Sequence, residues 1–173
     1  MAEQEFIIKE AEPNDAKALV ETLNQIGGES EFITLDEAGI LMTTEQMVDF
    51  IKHRQESVNQ LCLLVKKGSE VVGVLNVTSD FHERVNHIGD IFIGIKKQYW
   101  GYGLGQVLMA ETIEWAKQSG VIRRLELTVQ KRNQRAVHVY EKIGFEIEGV
   151  KKRGAKTSTG EFLDVYIMGK MID

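Results

Sequence analysis

His87-Ile-Gly-Asp-Ile-Phe-Ile-Gly-Ile-Lys-Lys-Gln-Tyr-Trp-Gly-Tyr-Gly-Leu-Gly105 is the run on which the fold turns. Ile88, Ile91, Phe92, Ile93 and Ile95 place apolar, mostly β-branched side chains on both faces of an extended chain, which predicts a central strand. Gly101, Gly103 and Gly105 then remove side chains from the inner surface of a turn, and Gln106 to Ser119 reads as a helix. Such a strand–turn–helix leaves several backbone N–H groups unpaired and pointing outward. Together with the positive end of the helix dipole they make a site for a phosphate group. The glycine spacing is neither that of a Walker loop, which needs Gly-Lys-Ser/Thr, nor that of the dinucleotide fingerprint, which needs two residues between its second and third glycines. A close strand–helix packing turn has the same local sequence, so the loop alone is balanced between the two readings.

Upstream of this run, residues 6–10 predict a first strand, and Pro13 with Asn14 or Asp15 marks the start of a helix. Ala16, Leu19, Val20, Leu23 and Ile26 carry that helix to an expected end at Gly27-Gly28. Residues 29–41 have no clean period and read as a loop or short helix, with Glu29, Glu31, Asp36 and Glu37 making it acidic. Thr43 and Gln46 fit a capping box that opens a second amphipathic helix toward Ser57. Two apolar strands between Leu61 and Val77 flank the hairpin signal Lys67-Gly68-Ser69, and residues 78–86 form a polar connection.

Downstream, Leu125 to Val129 alternates as a strand, residues 134–143 form a short helix ended by Gly144, and residues 145–150 form another strand. A basic loop over residues 151–160 is expected to lead to a last strand at residues 162–168. With Asn133 near the start of its helix, Ala136, Val137 and Tyr140 share a face, which turns the phenol inward. Strands and helices alternating in this way predict an α/β (α+β mixed) fold with helices on the faces of one sheet. At 173 residues, with no repeat or linker, a single domain over residues 1–173 is expected.

Composition removes several functions. The net charge of −5 argues against nonspecific nucleic-acid binding. No apolar run approaches the roughly 20 residues that span a bilayer, and the first residues lack the basic and apolar regions of a signal peptide, which points to the cytoplasm. One cysteine, Cys62, allows no internal disulfide; it sits in the apolar run Leu61-Cys-Leu-Leu-Val65 with no basic sequence neighbour, and reads as a core residue rather than a nucleophile. His53, His82, His87 and His138 show no metal-ligand spacing, so no metal is expected.

Two further patterns narrow the reading. Gln98-x-x-Gly101-x-Gly103 resembles the Gln/Arg-x-x-Gly-x-Gly/Ala motif of the GNAT superfamily of acyl-CoA-dependent N-acyltransferases. Downstream, Asn133-x-x-Ala136-x-x-x-Tyr140-x-x-x-Gly144-Phe145 resembles a second segment of the same family. The resemblance covers the chain from His87 onward. It implies a bent, mostly antiparallel mixed sheet, splayed beside the central strand, and acetyl-CoA as co-substrate. The amides of Tyr102, Gly103, Leu104 and Gly105 would hold the pyrophosphate, with Gln98 and Gly101 shaping the turn. Asn133 would bond the pantetheine arm, Ala136 would leave room for it, and Tyr140 would protonate the departing thiolate. A backbone N–H near Ile93 or Ile95 would meet the oxyanion.

The base is less marked. Asp90 is an unexpected carboxylate among isoleucines, facing the same way as Ile88 and Phe92; His87, Glu126 and ordered water are alternatives, and a structural Asp is an equal one. Lys96, Lys97, Arg123, Arg124, Lys131, Arg132, Arg135 and Lys142 gather around the two motifs, where Lys131, Arg132 or Arg135 could screen the ribose phosphate of coenzyme A. The acidic 29–37 loop and Glu161 with Asp164 suggest a cationic acceptor: a polyamine, aminoglycoside, amino acid or protein N-terminus. A homodimer is expected from the resemblance alone. The other classes considered are a noncatalytic acyl-CoA sensor and a module for a different phosphorylated ligand.

Overall fold

The computed structural model describes residues 5–33 and 40–173. Asp36 and Glu37, which contribute to the expected acidic loop, lie outside them. The described strands form one seven-stranded sheet in the order β1-β2-β3-β4-β5-β7-β6. These strands are β1 (Ile7–Glu10), β2 (Leu61–Lys67), β3 (Glu70–Thr78), β4 (Ile88–Ile95), β5 (Arg124–Gln130), β6 (Glu146–Lys156) and β7 (Phe162–Met171). Every neighbouring pair is antiparallel except β4–β5, which is parallel. The mixed, mostly antiparallel sheet expected from the resemblance is therefore present.

Helices cover both faces. On one face α1 (Ala16–Glu29) and α2 (Thr44–Glu56) bury Leu19, Leu23, Ile26, Met47 and Ile51 against Leu64, Val71 and Val74. On the other, α3 (Leu104–Ser119) and α4 (Gln134–Lys142) close a larger core around Leu108, Met109, Leu125, Phe145 and Met168. Period-2 alternation divides β4 between these cores. Ile91, Ile93 and Ile95 belong to the α3/α4 side, while Phe92 packs into the α1/α2 core and Gly94 meets Ile26 there.

Local signals hold in most places. Thr43 and Gln46 close the capping box at 3.1 and 2.9 Å, and Gly68 turns the β2–β3 hairpin at φ 61°. Two boundaries differ from the sequence reading. The first helix continues through Gly27-Gly28 to Glu29, because Gly27 is buried in the helix packing and Ser30 N–H still bonds Ile26 O at 3.2 Å. Close packing outweighs the poor helix propensity of glycine, about 1 kcal/mol per residue. Asp15, expected as a cap, instead accepts from Glu12 N–H at 2.9 Å and pairs with Lys9 and Lys66.

The second difference is the basic stretch after Val150. It is not a loop: β6 runs on to Lys156 with irregular pairing between Lys151 and Ala155, where Arg153 takes φ 53° and its N–H bonds Asp164 Oδ1. Lysines on a bulged edge strand discourage pairing with other chains, so a basic run is compatible with a strand here. Leu108, fully buried between α3 and the sheet, anchors the helix that follows the glycine turn. Leu108→Ala is expected to lower unfolding free energy by about 2–5 kcal/mol, and exposed Val107→Ala to change it by no more than about 0.5 kcal/mol; urea denaturation measures both.

Candidate active site

The pairing of β4 with its two neighbours is unequal. Against β3 it runs from Asp90 to Ile95, whereas against β5 it covers only Ile88–Arg124, Gly89–Leu125 and Asp90–Glu126. Beyond these pairs β5 stays with β7 as far as Gln130, so the sheet opens between β4 and β5. Lys96 N–H donates to Val72 O at 2.9 Å, and amides alternate sides along an antiparallel strand. The N–H groups of Ile93 and Ile95 therefore face the opening. From the same side the Trp100 indole Nε1–H reaches Ile95 O at 2.8 Å and ties the turn to the end of the strand.

The glycine turn follows directly. Lys97–Tyr99 forms a single 3-10 turn, Gly101 and Gly103 take φ 88° and 75°, and α3 starts at Leu104 with no side-chain cap. Among the described residues the amides of residues 101–106 have no protein acceptor. A Cβ at Gly101 or Gly103 would point into open space while straining the backbone, so these two glycines serve conformation. Gly105 has no such φ and sits 3.8 Å, measured from a built Cβ, from Ile93. Trp100 steadies the turn, with Tyr99, whose hydroxyl donates to Glu70 at 2.9 Å; Gln98 beside them is exposed. Unpaired amides at a helix start, opening onto free space, are the donor set a diphosphate needs.

Residues of the second motif lie at the start of and along α4, which follows β5. Asn133 caps α4, its Oδ1 accepting from Ala136 N–H at 3.3 Å, which leaves Nδ2 available. Ala136 and Tyr140 pack on the α3/α4 core, with the Tyr140 ring 6.1 Å from that of Phe145. Burial pushes the Tyr140 phenol above its ordinary value, so it keeps its proton at neutral pH. At the end of α1, Glu29 Oε2 accepts from Lys97 N–H at 3.2 Å, while its buried Oε1 has no partner among the described residues.

Asp90 lies on the opposite face, as its register with Thr78 and Glu126 requires. Its carboxylate is accessible from an open depression of about 430 Å³ lined by Thr78, Ser79, Asp80, Val85, Ile88 and Glu126. A neighbouring hollow of about 520 Å³ at the end of α2 shares Ser79 and Asp80 with it. Partial burial and the Glu126 charge both raise the Asp90 carboxyl. Glu126 itself is held by Arg124 at 2.9 Å.

Several cations have other partners than the sequence suggests. Lys96 is buried and pairs with Glu70 at 3.1 Å. Arg124 spans Glu126 and Glu148. Arg132 turns toward Gln130, the Glu31 backbone and the Phe32 ring. Arg54 was not singled out by the sequence; it is buried, bonds Asn76 and Thr78, and is the basic neighbour that Cys62 lacks in sequence. Its charge opposes the effect of burial on the thiol, but burial wins, and Cys62 is pushed up to about 12. The native protein is expected to resist thiol-labelling reagents at pH 8 and to react stoichiometrically once unfolded; rapid labelling of folded protein contradicts this.

Residues 29–145 match the model of the acetyltransferase (GNAT) family. The chain belongs to that family. It is 29% identical to the L-amino acid N-acetyltransferase AaaT of Escherichia coli (strain K12) over 167 residues, 96% of this chain and 98% of the relative. The crystal structure of a GNAT-family acetyltransferase from Streptococcus pneumoniae superimposes with a TM-score of 0.95 at 52% identity, covering 97% of this chain and 100% of that one. The yncA protein of Salmonella typhimurium, solved with its cofactor acetyl-CoA, shares the fold with a TM-score of 0.84 at 17% identity, over 98% and 95% of the two chains. No described helix is long and apolar enough to cross a membrane.

Proposed function

We propose that this chain, acting as one domain over residues 1–173 in the cytoplasm, transfers the acetyl group of acetyl-CoA to a primary amine by direct attack in a ternary complex. The observation that carries this reading is the opening between β4 and β5, whose free amides lead from the start of α3 to the middle of the sheet. When bound, acetyl-CoA supplies an acetyl group already activated as a thioester. The amides of Tyr102, Gly103, Leu104 and Gly105 hold its diphosphate, with Gln98 and Gly101 at the edge of the turn. Asn133 Nδ2 and the Ile95 amide hold the arm in the opening, past the small side chain of Ala136.

Acid and base then work from opposite faces of the sheet. Asp90, on the α1/α2 face, takes a proton from the acceptor amine, which leaves a nitrogen lone pair free to attack. The Ile93 N–H donates to the oxyanion that develops. Tyr140 Oη, on the α3/α4 side, keeps a proton at neutral pH because burial disfavours its ionisation, and it gives this proton up as the thiolate leaves. Base and acid never compete for one proton, since the strand lies between them.

The acceptor carries a primary amine, and the carboxylates of Asp80, Asp90 and Glu126 around the depression favour a cationic one. Among the polyamine, aminoglycoside, amino acid and protein N-terminal candidates, the name of the Escherichia coli relative favours the amino acid. Thiol release from acetyl-CoA, followed across an amine panel with products identified by mass, tests the proposal. Tyr140→Phe is expected to lower kcat by about 10²–10⁴-fold with little change in coenzyme A binding. Full turnover in Tyr140→Phe contradicts the assigned acid, and binding of acetyl-CoA without thiol release for any amine favours a noncatalytic sensor.

A further inference from the structure

Arg124 is the most heavily engaged cation beside the proposed base. Its Nε bonds Glu126 Oε2 at 2.9 Å, and its two terminal nitrogens grip both oxygens of Glu148 on β6 at 2.8 and 2.6 Å. The fork crosses β7 over Gly169, where a Cβ would lie 2.6 Å from Arg124 Nη1 and 2.7 Å from Glu148 Oε2. Only a residue without a side chain leaves that path clear. Glu126 stands directly across the ladder from Asp90, so the clamp acts on the carboxylate next to the base.

We infer that Arg124 is a positioning residue: clamped between Glu126 and Glu148 across Gly169, it neutralises the carboxylate beside Asp90 and thereby sets the pH at which Asp90 accepts a proton. The inference rests on the reading of Asp90 as the base. Other groups facing Asp90 are few. From β5 come Glu126 and Arg124, and from β6 Glu148 through the clamp. From β3 comes neutral Thr78, whose hydroxyl accepts from Arg54 of α2 at 3.2 Å. The connection before β4 adds Asp80, already bonded to His82. From α1, Glu29 lies further along the strand at Lys97.

Arg124 is itself held in its charged form, by its bonds to Glu148 and then to Glu126, against the opposing effect of burial. Two carboxylates a strand spacing apart resist joint ionisation unless a cation intervenes. Arg124 supplies that cation to Glu126, and Glu148 tempers how much of it reaches Asp90. Removing Arg124 therefore makes Asp90 harder to ionise, and removing Glu148 makes it easier. The two substitutions act in opposite directions on one observable, which a purely structural tie between β5 and β6 does not do.

The test is the pH profile of kcat/KM for the acceptor, measured with the full chain for wild type, Arg124→Gln, Arg124→Lys, Glu148→Gln and Asp90→Asn. The ionisation of the acceptor amine is common to all five. Arg124→Gln is expected to move the acid limb upward by about half to one pH unit, Arg124→Lys to stay near wild type, and Glu148→Gln to move the limb downward. Glu148 is exposed, so its variant decides the matter even where Arg124→Gln folds poorly. Acid limbs of Arg124→Gln and Glu148→Gln that coincide with wild type overturn the inference, whatever happens to kcat or stability. Full activity in Asp90→Asn removes the base and the inference together, whereas a dead Asp90→Asn with stationary limbs removes the inference alone.

Discussion

Backbone N–H groups in a folded chain must find acceptors, and β4 is placed where one side of it does not. Its ladder with β3 continues to Ile95, but its ladder with β5 stops at Asp90. The cause lies in what each strand packs against. The end of β4 is drawn toward α1, where Gly94 allows Ile26 to approach, and Lys96 is fastened to Glu70. β5 is held by seven register pairs to β7 and leads directly into α4. Each strand is satisfied on its outer side, so the inner sides part, and the amides of Ile93 and Ile95 are left for water or a ligand. The glycine turn continues the same deficit into the start of α3.

Chemistry follows from that parting. The side-chain alternation of β4 and β5 places Asp90 and Glu126 on the α1/α2 face, and Ile93, Ile95, Leu125 and Leu127 on the other. Tyr140, packed on the α3/α4 core, is kept protonated by burial; Asp90 remains accessible beside Glu126 and its Arg124 clamp.

Much of this was legible in the residues. The isoleucine run, the three glycines and the Asn133–Phe145 spacing located the central strand, the turn and α4, because each depends on local backbone demands that the sequence states directly. Features set by contacts between distant segments were not legible. Arg54 brings its charge near Cys62 of β2 from α2, Arg132 is drawn to Glu31, and Arg124 finds Glu148 only because β6 and β7 bring it there. Two local rules also misled. Gly27-Gly28 suggested a helix end but lies within packed helix, and a basic run suggested a loop where an edge strand tolerates lysine. The part of Trp100 in the turn was not legible either, since its indole bond to Ile95 O depends on a strand end no pattern of glycines reveals.

Hydrogen exchange of the full chain with and without coenzyme A tests the central claim most directly. The account predicts slowed exchange at the amides of residues 101–106 and at Ile93 and Ile95, with the β2–β3 hairpin unchanged. Unaltered exchange at those amides in the presence of saturating coenzyme A, or protection confined to another part of the surface, contradicts it.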